Sequence, residues 1–184
     1  RLVGCLLAAA LAWCNGVRAD DAAYPSRPVR IVVGFPPGQS TDVFARAIAS
    51  VVSKSLGQNF FVDNRAGAAG IIGTEAVKNA APDGYTLLYT TTGPMAINPA
   101  LYKKLPYDPI KDFTPIALSV VGPVFLVASL SFPPNTLGEL IAYVKANPGK
   151  VAYGSGGVGI TAHLAMEMLK NAAGLDILHV PYKG

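Results

Sequence analysis

Residues 153–163 read YGSGGVGITAH, and the fold turns on how they are read. A short strand-like run, residues 151–153, leads into Gly154, Ser155, Gly156, Gly157, Val158 and Gly159, and a helix-like run follows. Formally this is G-x-G-x-x-G. The dinucleotide fingerprint also requires an acidic residue at the end of the next strand, about 20 residues on, to hold the ribose. Here the next apolar run ends HVPYKG without an acid, and Asp176 stands at its start, the wrong end. A nicotinamide or flavin module is therefore set aside. What is left is backbone geometry: a strand, a glycine-rich turn and a helix opened by Thr161.

The same unit recurs toward the N-terminus. Residues 29–35, VRIVVGF, read as a buried strand, followed by GFPPGQSTD at residues 34–42 and a helix over residues 41–56. In that helix Val43, Ala47 and Val51 form one apolar row and Phe44, Ile48, Val52 and Leu56 the next, at i, i+4 spacing. Gly57 ends it. NFFVDN, residues 59–64, is a second strand; NRAGAAG, residues 64–70, leads into a helix over 70–79; TLLYTTT, residues 86–92, is a third strand. A Pro-rich passage, residues 94–115, holds one short helical turn near 96–102, and residues 114–129 give one or two strands broken at Gly122-Pro123. A second series then runs helix 137–147, with a Thr136/Glu139 capping box, strand 151–155, helix 159–173 and strand 177–180. Strand–helix alternation predicts an α/β fold with mostly parallel sheets, with a crossover between two lobes near residues 119–123.

The three glycine-rich loops share one physical property. The first backbone N–H groups of a helix have no partner inside it, and the helix dipole adds partial positive charge there. Glycines clear side chains away and Ser or Thr adds a donor, which makes an anion site that needs no arginine. Enzyme readings have less to stand on. G-x-S-x-G and H-E-x-x-H are absent, and His163 and His179 make no metal set. A Ser155–His163–Asp176 triad can be drawn, but His163 with Glu167 at i+4 reads as a surface pair.

The N-terminal stretch is expected to be a targeting signal. Arg1 precedes an apolar run, residues 2–13, and small residues Val17 and Ala19 stand where signal peptidase reads. The run is shorter than the ~20 residues of a membrane span. LVGC at residues 2–5 resembles a lipoprotein box, but the apolar run continues past Cys5, against lipidation. Cys5 and Cys14 both fall in this signal, so the mature chain would carry no disulfide and no thiol site, in keeping with a bacterial periplasm. Loss of Arg1 and Arg18 turns the net charge of +4 into +2. The scattered charges give no basic stripe for nucleic acid. The chain of 184 residues lacks an initial Met and stops in a turn, and is read as a fragment.

Six collinear blocks carry a resemblance: YPSRPVRIVVGFPPGQSTDVFAR, NRAGAAGIIGTEAV, APDGYTLL, NPALYKKLPYDPIKDFTPIAL, VAYGSGGVGITAHLAMEML and HVPYKG. In this order they resemble the extracytoplasmic solute receptors of tripartite tricarboxylate transporters, the Bug receptors, from about Tyr24 to the end. The resemblance implies a monomeric two-lobed, hinged periplasmic binding protein of type II-like architecture, without cofactor, metal or catalysis. Lobe one would be residues 24–120, and lobe two, incomplete here, residues 121–184. Such a receptor carries a small organic anion, such as a di- or tricarboxylate, to a permease of one large and one small membrane subunit; an exported hydrolase on a similar fold is the alternative. Carried over by position, Phe35, Pro37, Gly38, Gln39, Ser40, Thr41 and Asp42 match the first ligand loop. Arg65, Ala66, Gly67, Ala68 and Ala69 match the second. Ser155, Gly156, Gly159, Thr161 and His163 match the loop closing from the other lobe, and Tyr182 begins a further cleft segment. Gln39 stands where the family usually has a second glycine, Ala66 where it has proline and Ala69 where it has glycine. Arg65 is read as a carboxylate fork or as a partner of Asp42 or Asp63.

Overall fold

The computed structural model describes residues 24–182. The expected signal peptide with Cys5 and Cys14, and Lys183 and Gly184, lie outside the described residues.

In chain order the elements are β1 Val29–Val33, α1 Ser40–Leu56, β2 Phe60–Asn64, a 3-10 turn Ala68–Gly70, α2 Ile71–Lys78 and β3 Thr86–Tyr89. A π turn Gly93–Ile97 and α3 Asn98–Leu101 follow, then α4 Leu137–Ala146, β4 Val151–Ser155, α5 Thr161–Ala173 and β5 Ile177–Pro181. The strands form two sheets, one in the order β2-β1-β3 and one of β4 with β5. Every pairing is parallel. Strand β1 is central, and Val29, Val32 and Val33 are fully buried, which is why it reads as an uninterrupted apolar run. Each sheet has its own core. Val29, Ile31, Val33, Phe35, Ala45, Ala49 and Phe60 make the first, and Val144, Tyr153, Met166, Leu175 and Ile177 the second.

The order 2-1-3 has a consequence for function. The chain leaves β1 toward β2 and returns to place β3 on the other flank. The switch point, where open α/β sheets hold ligands, therefore falls past the carboxyl ends of β1 and β3.

Two expectations change. The apolar rows on α1 coincide only in part with its buried face: Ile48 and Val52 are half-buried, and Val52 packs on the first core. Thr41, Asp42, Ala45 and Ala49 are buried, whereas Val43, Phe44, Val51 and Leu56 are exposed. Small alanines let the helix axis come close to β1 and β2, and the larger residues are turned outward. The strands expected within residues 114–129 are absent among the described residues, and Ile116, Leu118, Val121, Phe125 and Val127 lie open. β-propensity describes a side chain suited to a pleated, half-buried surface; a strand also needs a ladder partner for its backbone groups, and none adjoins this run among the described residues. The capping box at α4 is present: Glu139 N donates to Thr136 Oγ1 (3.2 Å) and Asn135 N to Glu139 Oε2 (2.8 Å).

Candidate functional site

The first loop, after β1, is braced by a buried carboxylate. Asp42 is 3% exposed. Its Oδ2 accepts from Gly38 N (2.9 Å) and Arg46 Nε (3.0 Å), and its Oδ1 accepts from Asn64 Nδ2 (2.9 Å) and lies 2.9 Å from Arg46 Nη2. Asn64 Nδ2 also reaches the Phe35 carbonyl at 3.1 Å. The Arg46 hydrogen bond first, and the Gly38 N–H second, hold the Asp42 carboxyl down at about 2. Both oxygens of Asp42 are thus engaged in fixing the loop.

The second loop, after β2, packs tightly on the first. A Cβ on Gly34 would stand 2.9 Å from Gly70 Cα, and one on Gly73 would stand 2.6 Å from Gly34 Cα. Backbone meets backbone there, so α2 starts directly over the end of β1. Ala68 and Ala69 adopt left-handed φ values of 46° and 52°, a region that L-residues enter at a cost. Neighbours hold them there: Gly70 N donates to Gly67 O (3.0 Å), Asn98 Nδ2 to Ala69 O (3.2 Å) and Thr74 Oγ1 to Gly70 O (2.8 Å).

The third loop, after β4, comes to the same place from the second sheet. A Cβ on Gly159 would stand 2.9 Å from Asn98 Oδ1 and 3.9 Å from Ala69 Cβ, and one on Gly93 would stand 3.2 Å from the Gly159 carbonyl. Ile160 packs against the first core. On the first sheet's side, a Cβ on Gly70 would stand 2.7 Å from Pro94 Cγ and 3.3 Å from Phe35 Cζ. All three loops therefore converge at the carboxyl end of β1.

The three helices that start from these loops have no capping side chain. The N-cap residues of α1, α2 and α5 are Gln39, Gly70 and Ile160, and none makes a side-chain cap bond. Helix α4, which starts away from the loops, is fully capped. Helix starts without a capping side chain are thus gathered where the two sheets meet. Shallow depressions of about 480 and 560 Å³ lie elsewhere, beside Glu167 and Asp176 and beside Arg27 and Tyr85.

A family profile described as tripartite tricarboxylate transporter family receptor, TctC, matches residues 44–184. The chain belongs to this receptor family. Protein BugT of Bordetella pertussis is 42% identical over 172 residues, 92% of this chain and 53% of that protein. Two solved structures match with 88% of this chain covered: R. palustris Rpa4515 with adipate, at 39% identity and TM-score 0.85 over 54% of its length, and MatC from Rhodopseudomonas palustris with bound malate, at 37% identity and TM-score 0.81 over 55%. The fold is that of these periplasmic binding proteins. The chain spans about half the length of the curated relatives it matches.

Within this family member, most of the residues named from the sequence lie where the loops meet. Phe35 and Thr41 are buried, Gln39 is half-buried at the N-cap of α1, and Pro37, Gly38 and Ser40 are exposed. Ala68 and Ala69 form the left-handed turn after Gly67, while Ala66 is exposed. Arg65 pairs with Asp63, Nε to Oδ2 at 2.9 Å, the structural alternative among its readings. Gly156 is half-buried, Gly159 is buried, and Thr161 opens α5 on its exposed side. Tyr182 is 67% exposed, with its ring edge over Gly154.

The histidines differ from the sequence reading. His163 does not pair with Glu167. It accepts from Gly159 N through Nδ1 at 3.3 Å and stacks on His179. Glu167 instead takes the Tyr153 hydroxyl and Lys170 Nζ, each at 2.8 Å; Lys170 first, then Tyr153, lower its pKa. The drawn triad also dissolves. Ser155 Oγ lies 2.7 Å from His179 Nε2, and Asp176 sits by Gly149 at the opposite end of the sheet. The sequence reading missed Asn64, Thr74, Asn98 and His179. The last could have been found from register: His179 lies beside Tyr153 in the β4–β5 ladder.

Proposed function

We propose that this chain forms part of the anion cleft of a periplasmic solute receptor, which captures a small di- or tricarboxylate and presents it to the membrane permease of a tripartite transporter. The observation that carries the reading is the convergence of three uncapped helix starts, two from the first sheet and one from the second. Lobe one, residues 24–120, holds one carboxylate through the N–H groups after Pro37 and the hydroxyls of Ser40 and Thr41, with Ala66 to Ala69 flanking it. Lobe two, residues 121–184, closes over the other end with the N–H groups and hydroxyls between Gly154 and Thr161. Each helix terminus contributes about 0.3–1 kcal/mol toward an anion, and each hydrogen bond to a charged group about 1.5–3 kcal/mol. Several together reach the roughly −8 kcal/mol of a micromolar complex after association costs.

The adipate and malate in the two matched structures support a dicarboxylate here. The solute bridges the lobes, and hinge closure is what the permease subunits read. An N-terminal export signal is consistent with that location. A thermal-shift screen of the full-length protein tests the reading: dicarboxylates raise the melting temperature, NAD does not, and the ligand is recovered unchanged. Stabilisation by NAD, or consumption of the ligand, would reverse it.

A further inference from the structure

The loop after β4 is anchored by two imidazoles. Ser155 and Tyr153 project from one face of β4, and His179 occupies the neighbouring place on β5. The His179 ring lies between two others: Tyr153 at 4.7 Å between centroids, 19° from coplanar, and His163 from α5 at 4.2 Å, 24° from coplanar. Its Nε2 is 2.7 Å from Ser155 Oγ, and Ser155 Oγ in turn donates to the Gly157 carbonyl at 3.1 Å. His163 closes the other end of the loop, with its Nδ1 accepting from Gly159 N at 3.3 Å.

These contacts depend on protonation. A ring nitrogen accepts only when it carries no proton, so the bond from Gly159 N requires a bare Nδ1 on His163. Two stacked imidazoles cannot both be charged without repulsion. The groups that face the pair are Tyr153 from β4 and Glu167 and Lys170 from α5. The Glu167 carboxylate takes the Tyr153 hydroxyl and Lys170 on Oε1, and its charge works to raise the His179 pKa against the larger effects of burial and His163. Burial first, and His163 second, hold the His179 pKa below its ordinary value.

We propose that His163 and His179 form a stacked imidazole pair that shapes the Gly154 to Thr161 loop only while uncharged, so that His179 is a positioning residue for the anion site and solute capture weakens on acidification. This rests on the receptor reading above, and its sign runs against simple charge attraction. An imidazolium beside a bound carboxylate would strengthen binding at low pH. Here the incoming proton takes the lone pair that holds Gly159 N–H, and the loop loses that bond.

Two measurements on the full-length protein test it. The first needs no ligand: NMR titration between pH 8 and pH 5 follows the histidine ring signals and the amides of Gly157 and Gly159. The Gly159 amide is expected to move with the same midpoint as the His163 ring, and in His179→Phe, which keeps the stack but removes the second titrating ring and the Ser155 bond, that midpoint shifts. The second follows malate and adipate affinity over the same range at constant ionic strength. The wild type is expected to lose about three- to tenfold more affinity on acidification than His179→Phe, the equivalent of one lost hydrogen bond, with protonation of the probes common to both. Loop amides indifferent to histidine titration, or affinity that rises as pH falls, would overturn the proposal. Should neither dicarboxylate bind at pH 7.5, the receptor reading fails for those anions, while the amide titration still decides whether the pair sets the loop.

Discussion

Asp42 shows how a residue chosen for chemistry can turn out to serve geometry. It sits in the first ligand loop by resemblance, yet both its oxygens are taken by Gly38, Arg46 and Asn64. Its folded carboxyl titrates at about 2, below the ordinary 3.8. A carboxyl lowered in this way stabilises the fold in full above its unfolded pKa and loses that contribution as pH falls from about 4 toward 2. Asp42→Asn is therefore expected to lower the melting temperature at pH 7 and to flatten its dependence on pH below 4. Thermal unfolding of both proteins across that range checks it. Ala69 makes a second case. The family's usual glycine at this position was apparent by resemblance; the left-handed backbone that favours it was not. Left-handed φ costs an L-residue roughly 1–2 kcal/mol, and glycine's freer unfolded chain takes back about 0.4–1 kcal/mol. Ala69→Gly should thus be neutral or stabilising by up to about 1 kcal/mol in urea unfolding, whereas Ala49→Gly on α1 should cost about 1 kcal/mol.

Among the elements, helices were legible and their faces less so. The periodicity of α1 was correct, but most of its large apolar residues pointed to the wrong side. Hydrophobic weight favours Val43, Phe44 and Val51, while close packing on β1 requires the small Ala45 and Ala49. The capping box of α4 was readable because its two partners are three residues apart and act locally. Thr136→Ala should cost about 1 kcal/mol of stability in urea unfolding while leaving dicarboxylate affinity intact, since α4 starts away from the loops. The junction of β1 with α2 should respond in the opposite way. A methyl at Gly34 meets Gly70 backbone atoms at 2.9 Å, and Gly34→Ala must push the second loop off the first. A destabilisation of about 1–3 kcal/mol, the scale of overpacking, with weakened binding, is expected by denaturation and calorimetry. The exposed run at residues 116–127 shows the limit of local reading, because a strand is a property of two segments and the sequence of one says nothing about its neighbour.

For the molecule as a whole, strand–helix alternation carried the parallel α/β class, and the glycine loops pointed to the proposed site. Neither revealed that β1 lies between β2 and β3, the arrangement that brings the first two loops over one strand end. The bracing side chains Asn64 and Asn98 were also out of reach, because each holds a loop belonging to a different part of the chain. The central claim is that helix starts from both sheets serve one anion. Calorimetric titration of malate and adipate into the full-length wild type, Thr41→Val and Thr161→Val tests it most directly. Each variant removes a hydroxyl from one helix start, one on the first sheet's side and one on the second's, and each is expected to weaken the same dicarboxylate by about threefold or more, the scale of one hydrogen bond. Unchanged affinity in both variants would contradict the claim.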